Sequence, residues 1–421
     1  MKSLQLRNFL SLAGAEVVSK LLTFAAFAYI AQKFGTAGYG YVEWAAAILM
    51  VASLIVDQGF SSYGAREIAR DPSRTAELVS QIVTARILLA VIAYAALSLF
   101  AIWFVSDASV RNLILIFGLS VGLLPFLLQW VFQGHDRMHL VSITQVVRQL
   151  VFAFVVLFLV RDISDLVVVG IAEVAAVGIA AALSVVLFLK AFPTHSIFKP
   201  GLSFETFRTG GVIGLSQLFW VVKMFGATVI VGVIATAGET GAFAAAMRIF
   251  IAAHTFVWLY FFNLLPSLSR AWVNDRGEYA LLIRDSMRLV LWIAIPSCIL
   301  AVAVASFVMP LVYGPEFIEG AAALRWLAVA CMFAAVSGHF RFGLIAAGFQ
   351  SRELLSSAAG AVAALGLIPA GYFVGGITYS AVGLCIAEAV ILATSWLQAR
   401  QVVEKIDRPV VASSGYSMTA G

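Results

Sequence analysis

The sequence is poor in charge. Asp, Glu, Lys and Arg together make up 12% of its 421 residues, against about 25% in soluble domains. That leaves too little polar surface to coat a water-facing exterior. Cysteine is also scarce. Cys298, Cys331 and Cys385 all lie in apolar runs and have no metal-ligand spacing. They do not form a paired framework of the extracellular kind, and read as small core residues. The five His residues are scattered and form no ligand cluster. No paired carboxylates, nucleophile–base set or metal constellation appears, so the chain does not read as an enzyme and implies neither a cofactor nor a metal. Long loops are missing as well, which excludes a folded domain outside the apolar segments. Nothing in the composition suggests a nucleic-acid partner.

What the chain has is apolar length. Hydrophobic residues make up 62% and the mean hydropathy is +0.99. The partner this composition requires is a lipid bilayer. A membrane-spanning helix needs about 20 mostly apolar residues. Reading apolar runs against polar breaks predicts about twelve spans, at 9–32, 41–60, 82–104, 112–133, 146–160, 166–189, 209–235, 242–266, 287–308, 320–348, 354–374 and 379–399. The runs are continuous and do not alternate, so an all-α membrane protein is expected and not a barrel. Lys2 and Arg7 before the first run could mimic a signal peptide, but that run has span length and reads as an uncleaved first helix.

The Lys and Arg pattern gives the orientation. With the N-terminus in the cytoplasm, the inner loops hold Arg66, Arg70, Arg74, Arg137, Lys190, Lys199, Arg208, Arg270, Arg276, Arg284 and Arg352. The outer loops hold only Lys33, Arg111 and Arg161. Both termini are expected inside, in a bacterial cytoplasmic membrane. The inner loops near 61–81 and 267–286 carry Arg at helical spacing and predict short interfacial helices.

The two halves echo each other at an offset of about 200–215 residues. Thr36-Ala37-Gly38 recurs as Thr236-Ala237-Gly238, Ile171-Ala172-Glu173 as Ile386-Ala387-Glu388, and the arginine in Gln133-Gly134-His135-Asp136-Arg137 has a weaker counterpart in Gly348-Phe349-Gln350-Ser351-Arg352. Six spans per half makes the repeat parallel. Such transporters hold substrate between the halves and work by rocking. The expected division is a lobe at 1–190, a linker at 191–208, a second lobe at 209–399 and a tail at 400–421.

Charges inside a bilayer are costly and mark cavities or partners. The deep basic residues are Lys20, Lys223, Arg248 and Arg341, and the deep acids are Glu16, Glu173 and Glu388. If the basic set lines a cavity, it would bind phosphate, with Arg suited to bidentate contacts. The acids are candidates for a coupling-ion site or for structural partners of the bases, and the structural role is favoured. Glu16 and Lys20 have pairing spacing on one helix. Arg86, Arg148, Arg288 and Arg325 sit near span ends, where snorkelling is the default. Asp57 reads as a cap for the loop after it. Trp44, Trp220, Trp258 and Tyr260 could stack on sugars, though packing is the more common duty. Lys223→Ala and Arg248→Ala are expected to block transport with the protein level unchanged.

Several stretches resemble the polysaccharide transporters, the O-antigen-type flippases of the multidrug/oligosaccharidyl-lipid/polysaccharide exporter superfamily. They are Phe34 to Tyr41, Asp57 to Phe60 followed by Ala65 to Arg70, Thr240 to Ile249, Leu311 to Phe317, and Ile345 to Gly348. The resemblance implies two six-helix bundles around a V-shaped cleft. It also implies a polyprenyl-diphosphate-linked oligosaccharide as substrate, moved to the outer leaflet by alternating access under H⁺ or Na⁺ coupling. Other polysaccharide assembly proteins are candidate partners, and a monomer is expected. Relatives often carry an acid within span seven, where this chain has Lys223. The competing readings are a cation-coupled drug exporter of the same architecture, a membrane glycosyltransferase or polymerase, and an uncoupled scramblase.

Overall fold

The structure, a computed structural model, describes residues 2–192, 201 and 203–407. Part of the expected linker and most of the expected tail, with Lys199 and Arg408, lie outside the described residues. So does the side chain of Glu16. Among the described residues there is no strand.

The first half comprises α1 (Lys2–Asp57), α2 (Phe60–Arg70), α3 (Thr75–Phe104), α4 (Ala108–Leu119), α5 (Gln129–Gly134), α6 (Met138–Leu159) and α7 (Leu166–Ala191). The second comprises α8 (Phe204–Met224), α9 (Gly226–Ile234), α10 (Ala237–Asn274), α11 (Arg276–Tyr313), α12 (Gly320–Ala346) and α13 (Gln350–Asp407). Nine helices among the described residues are long and apolar enough to cross a membrane, against about twelve apolar runs in the sequence. The difference has a physical reason. α1 and α13 each carry two apolar runs joined through glycine, and the seventh run is divided between α8 and α9 around Phe225.

Both double helices fold back on themselves. In α1 the break is Gly35, at φ 65°, a left-handed conformation open to glycine at little cost. Phe27 and Tyr39 would be about 18 Å apart along a straight helix, yet their rings lie 6.5 Å apart. In α13 the reversal is at Gly375 and Gly376, and Ser380 Oγ donates to the carbonyl of Ile368 at 3.1 Å.

The weaker sequence echo between the halves has a matching backbone form. Arg137 N donates to the carbonyl of Phe132, and Phe349 N to that of Leu344, each at 2.8 Å. The residues before them, Asp136 and Gly348, both have positive φ. This is the same helix-ending turn in both halves. Arg137 itself pairs with Phe349 in this register, and not with Arg352.

α2 is a short amphipathic helix, as the Arg spacing predicts. It buries Phe60, Tyr63, Gly64 and Ile68 and ends in Arg70. Asp71 follows, and Ser73 donates to it from Oγ and N. Those bonds hold its carboxyl below the usual carboxylate range. The second interfacial helix expected, near 267–286, does not form. α10 runs unbroken to Asn274 and α11 starts at Arg276. Each has 38 residues and so spans about 57 Å, well beyond the roughly 30 Å of a hydrocarbon core. Pro266 lies in α10, and Pro296 and Pro310 in α11.

α10 begins with a full capping box. Thr236 Oγ1 accepts from Glu239 N at 3.3 Å, and Glu239 Oε2 accepts from Thr236 N at 3.0 Å. Tyr372 OH donates to the same Glu239 oxygen, tying α13 to this corner. Thr236→Ala is expected to cost about 1 kcal/mol of stability, measured by unfolding in detergent, with Thr236→Ser close to neutral.

The halves meet at both ends. At the Gly35 end, α1 packs on α9, α10 and α11. At the Arg66 end, α2 packs on α8, with the rings of Phe60 and Phe207 5.5 Å apart. Thr206 Oγ1 donates to Gln81 Oε1 there at 2.8 Å.

Candidate functional site

Between these two seams lies a cavity of ≈ 230 Å³. α1 contributes Lys20, Thr23, Phe27, Glu43 and Ser53, while α6 and α7 contribute Arg148, Gln149 and Glu173. The second half closes it with Phe225, Thr228, Met247 and Arg248. Among the described residues, three basic and two acidic side chains line it, an excess of one positive charge.

Arg248 is the centre of this wall. Its Nε donates to Glu43 Oε1 at 2.6 Å, and its guanidinium lies 3.4 Å from the centroid of the Phe27 ring. Both partners belong to the first half, so one guanidinium bridges the lobes through a carboxylate and a cation–π contact. Arg148 donates to Glu173 at 2.7 Å across α6 and α7. Thr23 Oγ1 donates to Gln149 Oε1 at 2.9 Å. Lys20, exposed on the first limb of α1, lines the same cavity.

Lys223 and Arg341 are elsewhere. They line a separate pocket of ≈ 60 Å³ inside the second half, with Phe219, Trp220, Glu353, Ser357 and Ile391. Lys223 Nζ donates to Glu388 Oε1 at 2.5 Å, and the two side chains are 4% and 0% exposed. Arg341 forks onto Glu353 Oε1 from Nε and Nη2 at 2.9 and 2.7 Å, and reaches Ser357 Oγ at 3.0 Å. The four deep bases thus divide into Lys20 and Arg248 at the lobe interface and Lys223 and Arg341 within one lobe. A single convergent set is not formed, because α8 and α12 turn their bases onto carboxylates of α13.

Each of the echoed acids holds a base. Glu173 holds Arg148 and Glu388 holds Lys223. The partner comes from a different helix in each half. Arg86 does not snorkel. It is buried and bonded to Asp57 and to Ser61 Oγ. Asp57 also accepts from Ser61 N and Oγ, capping the chain into α2. Arg325, by contrast, is exposed and donates to Ser306 Oγ.

Two acids that hold deep bases, Glu43 and Glu353, are not among the acids expected from the sequence. Glu43 carried a signal, an acid inside the second apolar run. Glu353 sits beside Arg352 and reads as loop charge. The aromatic residues mostly pack. Trp44 Nε1 donates to the carbonyl of Val229 at 3.2 Å, across the lobes. Tyr260 is joined to Ser286 and through it to His339.

A further groove of ≈ 390 Å³ opens between α10, α11 and α12, lined by Phe256, Ile293, Cys298, Ala301 and Cys331 among others. Its walls are apolar and its rim exposed, as expected of a surface facing lipid. It offers no group to hold a charged ligand. The three cysteines are free, and no metal-ligand cluster occurs among the described residues.

The sequence matches the family of polysaccharide biosynthesis proteins over residues 5–272. The chain belongs to that family. Its fold is that of transporters of the MOP superfamily. An inward-facing multidrug resistance MATE family transporter superposes with a TM-score of 0.72 at 13% identity, over 93% of this chain and 96% of the other. The lipid II flippase MurJ in an inward closed conformation gives 0.73 at 12% identity, over 92% and 87%. A MOP superfamily transporter from Pyrococcus furiosus, noted for reverse polarity of its binding pocket, gives 0.62 at 14% identity, over 96% of each chain. No curated protein matches the chain. The protein is a multi-pass, all-α membrane protein of a transporter fold.

Proposed function

We propose that this protein is a flippase that carries a polyprenyl-diphosphate-linked oligosaccharide, of the O-antigen repeat-unit kind, from the inner to the outer leaflet of a bacterial cytoplasmic membrane. Its termini face the cytoplasm and it works by alternating access. It is a transporter and not an enzyme. Membership of the polysaccharide biosynthesis family supports the substrate class. The observation that carries the reading is the sign of the inter-lobe cavity, where Lys20, Arg148 and Arg248 outnumber Glu43 and Glu173.

The physical problem fits. A diphosphate crossing bare hydrocarbon faces a desolvation cost of tens of kcal/mol per charge in the Born limit. Guanidinium groups in a polar cavity replace the lost water with charge-assisted hydrogen bonds. The prenyl tail meanwhile stays in lipid. A drug exporter of the same fold is the second reading, supported by likeness to MATE transporters. A cavity for cations calls for an excess of acid, and the described residues of this one carry an excess of base.

Of the four bases, Arg248 and Lys20 are assigned to the diphosphate. Lys223 and Arg341 are assigned to the internal framework of the second half. In a deletion strain, lipid-linked oligosaccharide should remain on the inner leaflet. Complementation by Arg248→Ala should restore roughly ten- to a hundredfold less surface glycan than the native chain, the range for losing a charged hydrogen bond of about 1.5–3 kcal/mol. Full glycan display by that variant would remove Arg248 from the site. Unchanged glycan on deletion, with altered dye efflux, would favour the exporter.

A further inference from the structure

The matching stretches of the two halves touch each other. A Cβ on Gly40 would strike the carbonyl oxygen of Ala237, and a Cβ on Gly241 would strike that of Thr36. The contact is reciprocal, with each half's glycine lying on the other half's carbonyl. That is the pattern of a two-fold interface, made here by an internal repeat. With no side chains between them, the two backbones close the Gly35 end of the cleft. Gln32 Nε2 adds one bond, to the carbonyl of Val312 at 2.9 Å.

Glu43 and Arg248 stand on the same two helix limbs, one and two turns deeper. Arg86–Asp57, Arg148–Glu173, Lys223–Glu388 and Arg341–Glu353 each stay within one half. Arg248–Glu43 crosses between the halves. The pair also lines the cavity, so its guanidinium is reachable by a ligand there.

We propose that Glu43 is an internal stand-in for the substrate's phosphate, and that a prenyl diphosphate displaces it from Arg248 and thereby unlocks the glycine seam. The inference rests on the diphosphate reading above. A diphosphate brings more charge and more acceptor oxygens than one carboxylate, and a guanidinium accepts it bidentately. Once Arg248 turns to the ligand, the ion pair across the seam is gone. What remains at that end is the backbone contact at Gly40 and Gly241, the Gln32–Val312 and Thr36–Glu316 hydrogen bonds and the packing of Tyr39 on Tyr313 and Phe317, none of them an ion pair. Loading the cavity then favours opening at the Gly35 end. Glu43 becomes the residue that keeps the empty carrier shut there.

A disulfide reporter tests this. A Cβ on Gly238 would lie 3.4 Å from Thr36 Oγ1, so Thr36→Cys with Gly238→Cys cross-links only when the seam is closed. The parent chain carries Cys298→Ser, Cys331→Ser and Cys385→Ser and sits in lipid nanodiscs. The probe is farnesyl diphosphate, with farnesol as the control for the tail. Farnesyl diphosphate is expected to slow cross-linking about tenfold, equivalent to roughly 1.4 kcal/mol of seam closure. Farnesol should not. Glu43→Gln should slow it to a similar extent with no ligand present. An unchanged rate in Glu43→Gln, or an unchanged rate while bound farnesyl diphosphate is detected by tryptophan quenching, would overturn the proposal. Failure of the probe to bind would count against the diphosphate reading instead, and the ligand-free Glu43→Gln rate would then decide the gate by itself.

Discussion

Lys223→Ala should lose about 3–5 kcal/mol of stability, the usual cost of removing one partner of a buried ion pair. The reason is the environment of Glu388. Its side chain is fully buried, Oε1 is held by Lys223, and Oε2 has no hydrogen-bond partner among the described residues. Without the ammonium, the carboxylate is left charged in a medium that cannot solvate it. The amount of folded protein recovered from membranes should fall with the midpoint of thermal unfolding. This revises the expectation from sequence, in which Lys223→Ala leaves the protein level intact. The double variant Lys223→Met, Glu388→Met should recover most of the loss, because replacing both charges by apolar groups of similar size is often near neutral. Native yield of the single variant would mean that the pair is not closed. Full glycan export by a well-folded double variant would confine the pair to a structural role.

Gly241→Ala should hold the Gly35 end apart. Alanine normally gains about 1 kcal/mol over glycine inside a helix. Here the new methyl carbon would overlap the carbonyl oxygen of Thr36. Overpacking of that kind costs about 1–3 kcal/mol, but the halves can escape it by separating. The variant is therefore expected to fold, to lose export, and to expose Thr36→Cys to a membrane-impermeant maleimide. A labelling rate about tenfold above the parent would correspond to roughly 1.4 kcal/mol of shifted equilibrium. Gly40→Ala should behave alike, because its Cβ meets Ala237 in the same way. Parental labelling together with parental export in both variants would show that the seam does not close during transport.

The apolar runs and the all-α membrane class were legible without coordinates, because each depends on composition or periodicity. That these charges sit inside long helices was legible too. Azimuth was not. Lys223 and Arg248 look equivalent in sequence, both buried in apolar helices without an acid one turn away. What separates them is the neighbour each faces, α13 for Lys223 and the second limb of α1 for Arg248. Partners at a separation of 205 or 165 residues leave no local pattern. For the same reason Arg86 read as a snorkelling end charge, since its acid, Asp57, lies 29 residues away on another helix. The interfacial helix near 267–286 failed on different grounds. Its Arg residues have interfacial spacing, but that spacing equally suits a transmembrane helix that continues into water.

That continuation has a mechanical consequence. α10 carries Arg248 at the lobe seam and runs on, unbroken, to Asn274, longer in all than a hydrocarbon core is thick. A rod of that length pivoting by about 10° at its middle swings each tip by about 5 Å in opposite directions. Widening at one mouth of the carrier would then be geared to narrowing at the other, with no separate signal passing between them. Pro266 sets where the shaft is weakest. Bending there would let the Asn274 tip lag behind the stroke.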